Sequence, residues 1–156
     1  MSLNISKHIT YREATYSKLG ASLLIKNVPS AQIVSVMMIT AEHVFEPIRQ
    51  FYGLPLSVTS FYRSPALNKA VGGSRYSQHM KGEAIDIKGF GSPQNLKNSY
   101  IFKYAYRNLV FDQLIWEFGD TTDPAWVHIS YSAKGNRQQA LRAVIQGGKK
   151  HYIPYK

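Results

Sequence analysis

The sequence predicts the α+β class, an antiparallel sheet flanked by helices, on three observations. Apolar residues recur at helical spacing between residues 30 and 50, alternate at strand spacing in several segments from Leu56 onward, and two of those segments are joined by the turn-rich Gly119-Asp120-Thr121-Thr122-Asp123-Pro124. With 156 residues, the chain falls in the range of one domain, and residues 1–156 are expected to form one. A composition of 44% hydrophobic and 18% charged residues is that of a packed globule and excludes a disordered basic tail.

In chain order, Thr10-Tyr11-Arg12-Glu13 has the Thr-x-x-Glu spacing in which hydroxyl and carboxylate satisfy each other's free amides, so a short helix is expected there, ending near Gly20. Ser30 is placed to cap a longer helix whose apolar positions run from Ile33 to Ile48, with Gly53 as its stop; Met37 and Met38 read as packing residues. Leu56 to Tyr62 reads as a strand, and Ser64-Pro65 opens a short helical piece that Gly72-Gly73 ends. Glu83 to Ile87 alternate, with Ala84 and Asp86 on one face and Glu83, Ile85 and Ile87 on the other. Ser92-Pro93 reads as a cap and first-turn proline for a helix through Tyr104 to about Asn108. Phe111–Phe118 and Ala125–Ser132 are expected to pair as a hairpin, and Arg137–Ile145 reads as a further strand. Residues 147–156 carry no recognised motif.

The balance of charge and the missing cysteines narrow the chemistry. Lys and Arg number 19 against 9 Asp and Glu, a net charge of +10 that suggests an anionic partner such as nucleic acid, acidic wall polymer or a membrane surface. The basic residues are scattered and no DNA or RNA motif accompanies them, so nucleic acid is not the expected partner. No stretch approaches the roughly 20 apolar residues of a membrane span, and the N-terminus lacks the pattern of a secretory signal, so the chain is expected to be soluble. With no cysteine, disulfides, a thiol nucleophile and thiolate metal sites are all excluded, and any metal must be held by His and carboxylates.

The informative segment is Ser77-Gln78-His79-Met80-Lys81-Gly82-Glu83-Ala84-Ile85-Asp86. A loop His, a Gly that permits a tight turn and an Asp on the next strand can bring an imidazole nitrogen and a carboxylate oxygen to one point. A third ligand is offered by His128, which alternates against Val127 and Ile129. Two His and one Asp would leave a tetrahedral zinc an open fourth position, the mark of a catalytic site. Burial of Asp86 in an apolar strand also demands a cation or strong donor beside it. His8, His43 and His151 have no comparable context.

The pattern Ser77-x-His79-x-x-Gly82-x-Ala84-x-Asp86, with Trp126-Val127-His128 downstream, resembles the zinc D-Ala-D-Ala carboxypeptidase family of peptidoglycan peptidases. The segment Ser60 to Asn68, then Val71-Gly72-Gly73-Ser74, and later Phe111 to Glu117 resemble a compact single-domain subgroup, so that the likeness covers about residues 10–132. It implies a fold related to the Hedgehog signalling domain, Zn(2+) as cofactor with His79, Asp86 and His128 as ligands, and a peptidoglycan stem peptide as substrate, cut by a zinc-activated water. Arg63 matches the family's Arg in a Tyr-Arg-Ser motif and is expected to bind the substrate carbonyl or its developing oxyanion. Ser77 is expected to orient substrate or a ligand, and Trp126 to wall the cleft. The chain departs from many relatives in one respect: the carboxylate three residues before the last His is replaced by Ala125. Glu117, which ends the strand expected beside His128, is the first candidate for the general base, and Asp123 the second.

Two functions follow. One is a zinc peptidase of wall remodelling or phage-type lysis, attracted by its charge to an anionic cell-wall surface. The other is a non-catalytic zinc module of the same fold that binds wall peptide or a protein partner.

Overall fold

The computed structural model describes residues 3–91, 93 and 95–156. Two short strands, β1 (Asn4–Ser6) and β2 (Ile9–Thr10), pair at the start. Thr10 then caps α1 (Tyr11–Thr15) with the reciprocal Thr–Glu13 bonds that the sequence predicts. The helix does not run on to Gly20. Tyr16 is extended, and Ser17 starts a separate α2 (Lys18–Ser22) by accepting the Gly20 amide at 3.1 Å. A Ser side chain competing for a backbone donor is what ends one helix and begins the next.

The long helix is also two. Ser30 caps α3 (Ala31–Val44), Phe45 breaks the run, and α4 (Glu46–Tyr52) stops at Gly53, whose φ of 62° is the left-handed conformation that favours glycine. Pro47 accounts for the break, because it offers no amide to the carbonyl four residues back and its ring crowds that carbonyl. Then come β3 (Leu56–Ser60), α5 (Pro65–Ala70), a 3-10 turn (Gln78–Lys81), β4 (Ala84–Gly89), α6 (Asn98–Asn108), β5 (Gln113–Glu117), β6 (Trp126–Ser130), β7 (Gln139–Gln146) and β8 (Lys149–Pro154). Of the expected cap, Ser92 lies outside the described residues. The helix itself begins at Asn98, where the Asp123 carboxylate accepts the Ser99 amide at 2.7 Å.

Six strands form one sheet in the order β3-β4-β6-β5-β7-β8. All neighbours are antiparallel except β5 and β7, which run parallel, a pairing that nothing in the sequence pattern announces. The mixed α and β architecture is the class read from the sequence.

The two faces of the sheet differ sharply. Ile85 and Ile87 of β4, Leu114 and Trp116 of β5, and Val127 and Ile129 of β6 are buried in the core with Met37, Val44, Ile101 and Phe102 from α3 and α6. Met38 is partly buried against the same core, so both methionines pack as expected. The alternate positions, Asp86, His128, Gln113, Ile115 and Glu117, line a cleft on the opposite face. Placing Asp86 there costs several kcal/mol of lost hydration, but each buried Ile or Val around it contributes about 1.5–3 kcal/mol, so the strand holds its register. The hydrophobic face therefore decides where the polar row sits.

Candidate metal centre and cleft

Each group of the site is positioned by a local device. Ser77 opens the 3-10 turn by accepting the His79 amide at 3.3 Å, and Gly82 closes it with φ 73°. A Cβ on Gly82 would stand 2.7 Å from Met37 Cγ, so glycine is needed both for the turn and for the close approach of α3. The turn is anchored from both sides: the Arg63 amide donates to the His79 carbonyl at 3.2 Å, and Thr40 Oγ1 donates to the Gly82 carbonyl at 2.9 Å. Register does the rest, since β4 and β6 place Asp86 directly opposite His128.

These devices bring His79, Asp86 and His128 together, with one ligand atom from each lying within 4.8 Å of the others. His79 Nε2 is 3.3 Å and His128 Nδ1 is 3.0 Å from the same Asp86 Oδ1. Ligand atoms about 2.1 Å from a tetrahedral ion stand roughly 3.4 Å apart, so the spacing fits such an ion. The stronger observation concerns His79, which is 2% exposed. Its Nδ1–H donates to the Phe61 carbonyl at 2.7 Å, which leaves Nε2 as a bare lone pair, and that atom is buried with no hydrogen-bond partner. Burial pushes the imidazole below its ordinary pKa, towards the neutral form that a ligand needs. A lone pair facing a carboxylate oxygen repels it unless a cation lies between them, so the three residues could hold a metal ion.

Around this centre lies a cleft of about 650 Å³. Arg63 lines it and is held at three points: Nε donates to Ser60 Oγ at 3.1 Å, Nη1 donates to Asn68 Oδ1 at 3.1 Å, and Nη2 is 3.6 Å from Asp86 Oδ2. Gly73 permits this, because a Cβ there would collide with Asn68 Oδ1 and stand 2.9 Å from Arg63 Nη1. Ser77 and Trp126 also line the cleft, whereas Trp116 is core.

The two candidate bases part company. Glu117 lines the cleft and is 4% exposed, and its Oε2 faces the Lys150 ammonium at 3.3 Å. Burial raises its carboxyl above the usual carboxylate range, against the pull of Lys150. Asp123 instead accepts the Ser99 amide in the first turn of α6 and is not among the cleft walls, because the loop that carries it is tied to that helix end. The other histidines lie elsewhere: His8 pairs with Glu46 at 2.7 Å, His43 stacks on Tyr131, and His151 is exposed on β8.

Sequence reading missed a group of cleft residues. Arg137 precedes β7 and makes a two-pronged pair with Asp112, Nε to Oδ1 at 2.9 Å and Nη2 to Oδ2 at 2.7 Å, while Gln78 Nε2 donates to the same Oδ2 at 3.0 Å. Hydrogen bonding from Arg137 holds the Asp112 carboxyl below its ordinary pKa. This tie joins the residue next to His79 to the C-terminal strands. Lys150 and Tyr152 of β8 complete the wall. The second lysine after a double glycine carries no sequence signal of its own, and only the hairpin register places it at Glu117.

The chain matches the family described as Peptidase M15 over residues 7–130. No curated protein matches it. The matched span holds every residue of the His79, Asp86 and His128 cluster, in the order and spacing that first suggested the likeness. With most of its length so matched, the chain belongs to the zinc D-Ala-D-Ala carboxypeptidase-like M15 peptidase family.

Proposed function

We propose that this protein is a zinc peptidase that hydrolyses peptide bonds in peptidoglycan stem peptides, at a bond involving a D-amino acid. The observation that carries the reading is the buried, partnerless Nε2 of His79 facing the Asp86 carboxylate in a cleft that also holds a second carboxylate, Glu117. His79, Asp86 and His128 would hold the ion. Bound there, zinc would polarise the substrate carbonyl and make a water molecule more acidic.

The chain's own residues then have distinct tasks. Glu117 takes the proton of the attacking water and passes it to the leaving amine as the C–N bond breaks, leaving a carboxylate on one fragment and an amine on the other. Arg63, already fixed by Ser60 and Asn68, donates to the oxygen on which negative charge develops. Ser77 sets the turn that aims His79, and Trp126 offers the substrate an apolar wall. The +10 charge favours approach to an anionic wall, so rising salt should weaken wall association before it weakens cleavage of a small soluble peptide.

The competing reading, a zinc-holding module that only binds, draws on Ala125, where many relatives carry the carboxylate. Glu117 in the cleft weighs against it, since it puts a carboxylate on the strand beside His128 where a passive binder needs none. Metal analysis together with digestion of purified muropeptides tests both. Wild-type protein should carry one zinc and shorten the stem; His79→Ala and His128→Ala should lose the metal. Retention of stoichiometric zinc by both variants would refute the site, and intact muropeptides with zinc-loaded wild type would refute catalysis.

A further inference from the structure

We infer that the cleft is a groove open on both sides of the centre, and that the protein is therefore an endopeptidase cutting an internal bond rather than a carboxypeptidase releasing a terminal residue. The inference deepens the peptidase reading and rests on it. Its first support is the floor. Gln113, Ile115 and Glu117 of β5 face the cleft in a row of about 13 Å, at roughly 3.3 Å per residue. The sheet register sets His128 opposite Ile115, the middle of that row, so floor extends on either side of the centre.

The second support is where the groove leads. Past Glu117 it continues into a further hollow of about 450 Å³, which shares Arg63, Gly72, Gly73, Trp126 and Lys150 with the first and is walled beyond them by Tyr16, Ser17 and Thr59. At the opposite end it reaches the exposed Gln139 and Arg137. Neither end stops one residue from the centre, and an extended chain of about four residues matches the floor alone.

Charge supplies the third. A carboxypeptidase needs a cation to hold the terminal carboxylate of its substrate. Three cationic side chains line the cleft among the described residues, and each already faces a carboxylate: Arg63 faces Asp86, Arg137 faces Asp112 and Lys150 faces Glu117. A terminal carboxylate would have to share one of these cations with the carboxylate that already faces it, whereas a neutral internal peptide brings no second negative charge to the pair.

Two stem peptides of one sequence separate the alternatives. In the first, the target bond is followed by a single residue with a free carboxylate; in the second, by three residues ending in an amide. Zinc-loaded full-length protein should cut the second at its internal bond with a kcat/KM about tenfold or more above the first, the equivalent of about 1.4 kcal/mol of added transition-state binding. Preference for the free carboxylate, or loss of cleavage on amidation, would overturn the inference. Should neither peptide be cut, the peptidase reading fails, and calorimetry on zinc-loaded Glu117→Gln protein judges the groove alone. Binding of the longer peptide about tenfold more tightly supports it; equal affinities refute it.

Discussion

The half of the sheet built from β3, β4 and β6 and the half that ends in the β7–β8 hairpin contribute to one cleft in opposite ways. In β4, four consecutive residues from Ala84 to Ile87 are buried, and two of the metal-ligand candidates, Asp86 and His128, lie on strands with a neighbour on each side. In β8 every residue is exposed, yet Lys150 and Tyr152 reach the cleft. The first region lies wholly within the family match, whereas β7 and β8 lie wholly beyond it. The contrast teaches that the chemistry is held by burial, where a shift of one residue would put isoleucines in the cleft and ligands in the core, while the exposed edge strand β8 is held by backbone pairing with β7. The inner half is thus built to be invariant in geometry, and the outer half can change its side chains without disturbing the ligands.

The largest effect should separate the halves by chemistry. Glu117→Gln keeps the shape and removes the proton acceptor, so kcat should fall by about 10²–10⁴ with zinc content unchanged, as read by steady-state kinetics beside metal analysis. An unchanged kcat would move the base elsewhere.

Next is Tyr155→Ala. Tyr155 closes on Phe102 with centroids 4.6 Å apart, and Arg142 lies over both Trp116, at 4.4 Å, and Tyr155, at 5.1 Å. Loss of this half-buried ring should cost about 2–4 kcal/mol in denaturant unfolding and raise KM by loosening the hairpin, again with zinc retained. Zinc loss in this variant would show that the halves are not separable.

Lys150→Met sharpens the comparison at the one point where the outer wall touches the proposed base. Burial already raises the Glu117 carboxyl, and Lys150 opposes the rise. Activity that needs ionised Glu117 falls as pH drops through its pKa, so removing the ammonium should move the acid limb of the pH profile to higher pH. The loss in kcat/KM should be largest at acid pH and shrink towards neutrality, about tenfold for each unit that the limb moves; Lys150→Arg should restore the profile. The smallest effect belongs to Ile153→Lys on exposed β8, expected to change stability by no more than about 0.5 kcal/mol and activity not at all.

Much of the inner half was legible from residues alone. His79, Gly82 and Asp86 lie within eight positions of one another, and strand alternation sorted Asp86 from Ile85 and Ile87; these are local rules of turn chemistry and two-residue period, and the structure follows them. The same rules marked the caps at Thr10 and Ser30, both of which form, and the short helix that Ser64-Pro65 opens. They were less able to mark interruptions: Pro47 splitting the long helix and Ser17 splitting the first were visible as residues, but whether a breaker ends, kinks or restarts a helix depends on the packing around it.

What the amino-acid order determined by itself is therefore most of the elements between Thr10 and Ile145, though not β1, β2 or β8, together with the buried face of β4 and the identity of three side chains suited to one cation. Only the tertiary structure decided that β7 lies parallel to β5, that Glu117 rather than Asp123 faces the cleft, and that Lys150, 33 positions further on, is its neighbour. The physical reason is one of range. A hydrophobic period and a cap are satisfied within a few residues, but which strands become neighbours, and which charges meet across them, is settled by the burial of the whole core, to which no single segment holds the key.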